Sequence, residues 1–229
     1  MIYSVPVAVS GGATTIAWFK ANLPTIYDAV EVFSDVANYV FTTPRAAGKV
    51  FRLYCTSYVI GLYIGDAWVA GALTNQYMVK NPKTVNPSAC VLIISTSIFA
   101  LVELYSSNYA SVAFIGKMDN TDMIVGSVWR NDNTEGVIYD VVTALALKPI
   151  GIDGTITSTD GYYYMSDYYL RSGTALVGLI VGIKNIQMPQ LLTTNYYQIS
   201  GNDVIISGGK VNSNADTIPN NVIIIGGNI

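Results

Sequence analysis

The chain has 229 residues, of which 51% are apolar and only 12% charged, and its net charge is −3. Soluble domains carry about twice that share of charge, and a surface so poor in charge tends to associate; obligate assembly is therefore preferred over a monomer with a Ser/Thr/Asn/Tyr-rich surface. There is no histidine, which removes the commonest general base and metal ligand and with it the usual Ser-His-Asp and Cys-His catalysis.

In chain order, residues 1–22 read as an extended N-terminal strand or arm, with Val5, Val7 and Val9 alternating before the Gly11-Gly12 break. Ile26, Val30, Phe33, Val36, Ala37 and Val40 then recur at helical spacing. With Asn22 and Pro24 as start signals and Pro44 as a stop, this predicts a helix over 24–41. From Lys49 onward the sequence reads as strands. Val50 to Ile64 is rich in Val, Tyr, Phe and Ile, Trp68 to Leu73 follows, and Met78 to Pro87 reads as a loop. Val91 to Tyr105 reads as one long strand or two short ones. Ser111 to Gly116 and Met123 to Trp129 flank the turn cluster Asp119-Asn120-Thr121-Asp122, and Val137 to Ala146 reads as a further strand. Short β-prone runs separated by Gly, Asn and Asp predict a mainly β protein, an antiparallel β-sandwich or jelly-roll-like fold with one N-terminal helix. The core domain spans 23–195.

Residues 196–229 form an extended C-terminal β segment. Asn202 to Val211 and Asn220 to Ile229 align without gaps at a period of eighteen residues, sharing the runs Val204-Ile205-Ile206 and Val222-Ile223-Ile224 and a following Gly-Gly pair. Two copies are too few for a free-standing solenoid. They read as a strand–turn unit used twice, either as a hairpin or as assembly strands added to a neighbour, with Gly208-Gly209 and Gly226-Gly227 as turn residues.

Lys and Arg are scattered, the densest group being Arg45, Lys49 and Arg52. Phosphate neutralisation needs clustered cations, so no nucleic-acid partner is expected. The uncharged run 89–102 ends at Glu103 and is short of the roughly 20 residues that span a bilayer as a helix; no membrane span is expected. Met1 to Val9 lacks the basic start of a secretory signal, so the chain is expected to work where it is made or to leave by cell lysis. Cys55 and Cys90 read as buried free thiols in preference to one disulfide.

Little chemistry remains. The three glutamates, Glu31, Glu103 and Glu135, show no pairing of the kind glycoside hydrolysis requires. Asp119, Asn120, Asp122 and Asp132 lack the EF-hand pattern and read as turn formers in preference to calcium ligands. No catalytic residue, metal site or cofactor is expected, so the chain is not read as an enzyme. Tyrosine is the positive signal, with seventeen copies. Tyr162, Tyr163, Tyr164, Tyr168, Tyr169, Tyr196 and Tyr197 cluster in pairs and triplets. In a strand, such clusters put at least one ring on the less buried face, and tyrosine is enriched at interfaces. These residues are candidates for subunit or glycan contact, against the plainer reading as half-covered strand residues.

Low charge, strands with Asn/Asp/Gly turns, and passages such as Phe114 to Trp129 together resemble virion structural proteins of tailed bacteriophages, and more distantly those of archaeal viruses. The resemblance implies a virion location and an assembly subunit of tail, baseplate or capsid decoration, partnered by copies of itself and other virion proteins. A receptor- or glycan-binding tip protein is the alternative, with a carboxylate-based glycan hydrolase behind it.

Overall fold

The computed structural model describes residues 2–6, 12–56, 60–80, 87, 89–105, 109–119, 123–130, 138–141, 145–149, 164–187, 198–200, 203–209 and 221–226. Strand β1 (Ile2–Val5) precedes helix α1 (Ala13–Ile26), followed by β2 (Val30–Ser34), β3 (Asn38–Thr42), β4 (Val50–Cys55) and β5 (Ile60–Gly65). A small hairpin, β6 (Trp68–Val69) and β7 (Ala72–Leu73), leads to β8 (Tyr77–Lys80). Then come β9 (Ala89–Ile94), β10 (Ile98–Tyr105), β11 (Tyr109–Lys117), β12 (Ile124–Arg130), β13 (Ile138–Asp140) and β14 (Ala146–Pro149). The chain closes with β15 (Tyr164–Ser172), β16 (Ala175–Gln187), β17 (Gln198–Ser200), β18 (Asp203–Gly209) and β19 (Asn221–Gly226).

The protein is mainly β, with antiparallel sheets and one helix near the N-terminus. A five-stranded sheet runs β2-β3-β4-β5-β8, and a twelve-stranded sheet runs β1-β9-β10-β11-β12-β13-β14-β15-β16-β19-β18-β17. From β9 to β16 strands adjacent in sequence are adjacent in the sheet, so the connections are those of a meander.

The two sheets pack as a sandwich. In β4 the alternation is plain: Phe51, Leu53 and Cys55 point into the first core while Arg52 and Tyr54 point away, the period-two pattern of a strand with one buried face. Tyr39 and Phe41 of β3, Leu62 and Ile64 of β5, and Ile16, Phe19 and Leu23 of α1 enter the same core. Leu92 and Ile94 of β9, Phe99 and Leu101 of β10, and Ala113 and Ile115 of β11 meet them from the long sheet. At the centre, Phe99 lies 6.3 Å from both Phe41 and Phe51 and 5.1 Å from Tyr27. Each buried ring of this size contributes about 1.5–3 kcal/mol by burial.

The other face of β9–β12 is buried too. Ile93, Ala100, Val102, Val112, Phe114 and Val125 form a second core with Tyr168 and Leu170 of β15 and Ile180 and Ile183 of β16. The long sheet therefore curls back over itself. The return is closed just beyond β11, where Met118 bridges Ile180 and Asp119 exchanges two bonds with Leu179. The Asp119 N–H donates to the Leu179 carbonyl at 3.0 Å, and the Leu179 N–H donates to Asp119 Oδ1 at 2.9 Å. Gly116 permits the approach, since a Cβ there would stand 3.1 Å from Ile180 Cγ2. Burial on both faces explains why residues 91–102 read as a nearly continuous apolar run.

Several expectations need correction. Residues 24–41 are not a helix; the helix spans Ala13–Ile26, with Pro24 in its last turn, and 30–42 is a hairpin. The apolar spacing there is shared by a bulged strand, and Val30, Val32 and Val40 are β-branched, which favours strands. The turn itself was encoded by Asp35 and Asn38. Asp35 Oδ1 accepts from the N–H of Ala37 at 2.8 Å and of Asn38 at 2.7 Å. The N-terminal segment is a strand of its own chain, β1 pairing with β9 from Ile2↔Ile93 to Val5↔Cys90, and 13–22 is helical. Residues 77–80 are a strand instead of a loop, and the stretch read as one strand over 137–146 holds the short strand β13 and the first residue of β14, with the Asp140 N–H donating to the Leu145 carbonyl at 3.0 Å between them. Val91 to Tyr105 is two strands. Cys55 and Cys90 are buried and not joined in a disulfide, as the sequence predicts.

The C-terminal repeat pairs with itself. Val204 faces Ile225, Ile205 faces Ile224 and Ile206 faces Ile223, while Val222, Ile223 and Ile224 also pair with Ile186, Asn185 and Lys184 of β16. Of the two uses open to the repeat, antiparallel pairing within one chain is the one seen. Gly208 and Gly209 lie inside β18 at an irregularity in register instead of forming its turn.

Candidate interaction surface

The outward face of the five-stranded sheet carries what its inner face excludes. Val40, Val50 and Leu73, with Tyr63 and Trp68 against them, make a small outer cluster roofed by the β6–β7 hairpin. Beside it stands Arg52. Its guanidinium carbon lies 5.0 Å from the Tyr54 ring centroid, 5.3 Å from Tyr63 and 5.8 Å from Trp68. Each such contact between cation and ring is worth about 0.5–1 kcal/mol when exposed. Arg52 Nε donates to Asn38 Oδ1 at 2.8 Å, which fixes the plane of the group. Trp68 also stacks on Phe33 at 5.3 Å and 25°. A run of rings thus crosses the sheet from β2 to β5.

Electrostatics at this face follow from the same contacts. For Asp35, partial desolvation raises the carboxyl pKa, but bonds from the Ala37 N–H and from Asn38, with the Arg52 charge, outweigh it and hold the group below its ordinary value. For Tyr63, burial raises the phenol pKa and Arg52 opposes the rise.

At the margin of this face, β2 is the edge strand of its sheet. Val30 is 62% exposed, Phe33 37% and Val36, in the following turn, 76%. Val32 and the nearby hairpin residue Val69 are exposed as well. Edge strands usually carry Lys, Pro or inward charge to block pairing. The charge on β2 is Glu31, held by Lys20 at 3.2 Å and by the Ser34 hydroxyl at 2.7 Å, with its pKa lowered chiefly by that Ser34 bond.

The tyrosines singled out in the sequence fall elsewhere. Tyr168 is 4% exposed and belongs to the second core, so it faces inward in this chain and offers no contact surface. Burial alternates over Tyr168, Tyr169 and Leu170, the period-two pattern of a strand that turns the Tyr168 ring inward beside Leu170. Tyr169 lies on the opposite face at 39% exposure, and Tyr164 opens β15 opposite Gln187. Tyr162, Tyr163, Tyr196 and Tyr197 lie outside the described residues. The rings that do gather around a cation, Tyr54, Tyr63 and Trp68, were missed because they are dispersed along the chain. The available signal was the alternation in β4, which puts Arg52 and Tyr54 on the polar face of an otherwise apolar strand.

Among the carboxylates, Glu31 is at the surface, Glu103 is fully buried on β10 across from Cys90 and Ser111, and Glu135 lies outside the described residues. Asp119 is used in the latch to Leu179, while Asn120, Asp122 and Asp132 lie outside. Among the described residues no group of three or more Cys, Asp or Glu is arranged to hold a metal ion, and no helix is long and apolar enough to cross a membrane. In comparisons with protein-family models and with curated proteins, the chain matches none.

Proposed function

We propose that the chain is a structural subunit of a virus particle, in its tail, baseplate or capsid decoration, acting without catalysis by packing against copies of itself and other particle proteins. The observation that carries the assembly reading is the β2 edge, unpaired on its outer side among the described residues, whose Val30 and Val32 face solvent. An unpaired edge with an apolar face recruits another strand, and a chain with 12% charged residues has little else to keep such an edge apart from its neighbours. The particle itself is inferred from the resemblance of the strand-and-turn texture to phage virion proteins. The test is solution mass at micromolar concentration for the chain and for Val32→Lys, which charges the edge. Association that the substitution abolishes is expected; a stable monomer that binds no other particle protein overturns the reading.

A second reading, a receptor- or glycan-binding tip protein, is favoured by one observation: the ring cluster around Arg52 on an outward face.

A further inference from the structure

We propose that the Arg52 face binds a carboxylate-bearing saccharide, of the sialic- or uronic-acid type, an inference that rests on the second reading above. The cation is built and feels the charge of Asp35, but makes no contact ion pair among the described residues. Nε is taken by Asn38, three rings surround the guanidinium carbon, and no carboxylate among the described residues pairs with Arg52.

The nearest acid in electrostatic terms, Asp35, spends its oxygens on its own turn. Oδ1 accepts from the Ala37 and Asn38 N–H groups and from Asn38 Nδ2 at 2.9 Å, and Oδ2 accepts from Asn38 Nδ2 at 3.0 Å. Asn38 therefore does two jobs: its amide nitrogen holds Asp35 and its oxygen orients Arg52. What remains to Arg52 is the pair of terminal nitrogens, a planar fork that matches a carboxylate in bidentate fashion.

The rings select the rest of the ligand. Tyr54, Tyr63 and Trp68 stand half-buried around the guanidinium, and Phe33 extends the apolar run by stacking on Trp68, so a ligand that reaches Arg52 meets an amphipathic ring-rich rim. A ring-lined sheet face suits a saccharide better than an acidic peptide, whose backbone would want strand or groove partners. The peptide is retained as an outcome of the test.

The experiment titrates the full chain with sialyllactose and with oligoglucuronate, using lactose and a Glu-rich peptide as controls, and follows tryptophan fluorescence and calorimetric heat. Acidic saccharides are expected to bind at least tenfold more tightly than lactose. Arg52→Lys, which keeps the charge and removes the fork, is expected to lose about tenfold, corresponding to about 1.4 kcal/mol. Trp68→Phe is expected to weaken acidic and neutral sugars alike. A thermal melt of each variant shows that it is folded, and the wild-type preference alone decides the matter if a variant is not. Equal binding of lactose and sialyllactose overturns the carboxylate assignment while leaving the glycan reading standing. Binding of the peptide alone, or of no probe, overturns both.

Discussion

Arg45 Nη1 donates to the carbonyl oxygen of Ser95 at 2.8 Å, joining the end of the five-stranded sheet to the β9–β10 turn of the long sheet. The same guanidinium pairs with Asp28 at 2.8 Å and lies 5.0 Å from the Tyr27 ring centroid. Asp28 has φ 54°, a left-handed conformation that aspartate tolerates better than most residues. One side chain thus fastens the α1–β2 junction and both layers of the sandwich. Arg45→Ala is expected to destabilise the fold by about 1.5–3 kcal/mol, the range for hydrogen bonds to a charged group. Arg45→Lys should recover little, because an ammonium cannot serve Asp28 and Ser95 with one rigid fork. Urea denaturation measures both, and wild-type stability of Arg45→Ala refutes the clamp.

How far the sequence specifies this arrangement can be judged from particular elements. Strands β11 and β12 are legible because Asn, Asp and Gly bound them, whereas Val50 to Ile64, a single β-prone run in the sequence, is divided into β4 and β5. The helix was misplaced for a physical reason. Ile16, Phe19 and Leu23 carry its buried stripe, but neighbouring Trp18 and Ala17 blur the period, whereas the hairpin at 30–42 mimics it. In the sequence Arg45 stands only as one of three neighbouring basic residues, because its partners Asp28 and Ser95 lie far along the chain. The same holds for Arg52. Composition marks tyrosine as an interface residue without saying which tyrosines share a face; that depends on register, and in β15 it puts Tyr168 inward and Tyr169 outward.

Tyr39 is fully buried, and its hydroxyl has no hydrogen-bond partner among the described residues. Burial, and secondarily the charge of Glu31, pushes its pKa up to about 12. The ring itself is well placed, stacked on Phe41 at 5.3 Å and 26°. Tyr39→Phe keeps the ring and removes the unpaired donor, whose burial costs about 1–3 kcal/mol. The variant is expected to melt higher than the parent. A lower melting temperature reveals a partner for the hydroxyl.

The hairpin that roofs the outer cluster turns through Ala70 at φ 50° and Gly71 at φ 84°. Positive φ at both central positions is the geometry that favours Asn-Gly in two-residue hairpins, yet alanine occupies the first. A left-handed alanine carries about 1–2 kcal/mol of strain. Ala70→Asn is expected to stabilise the protein by about 0.5–1 kcal/mol and to hold Trp68 more firmly beside Arg52. Calorimetric melting checks the first effect and tryptophan anisotropy the second; an unchanged or lowered melting temperature counts against the strain.

Acid should loosen the β2–β3 turn before it affects the cores. Asp35 has a folded pKa below its ordinary 3.8, because the hydrogen bonds its carboxylate accepts outweigh desolvation. A depressed carboxyl contributes stability that is complete above its unfolded value and disappears as pH falls through the folded value. Glu31 and Asp66 are lowered as well, chiefly by Ser34 and Lys49 respectively, so all three act in the same direction. Melting temperature is therefore expected to be nearly level from neutral pH to about pH 5 and to fall below about pH 4. Asp35→Asn should melt lower than the parent at neutral pH and show a shallower acid limb, since the amide still accepts one turn bond but no longer titrates. Parallel acid limbs for the two proteins would mean that Asp35 is not the group responsible.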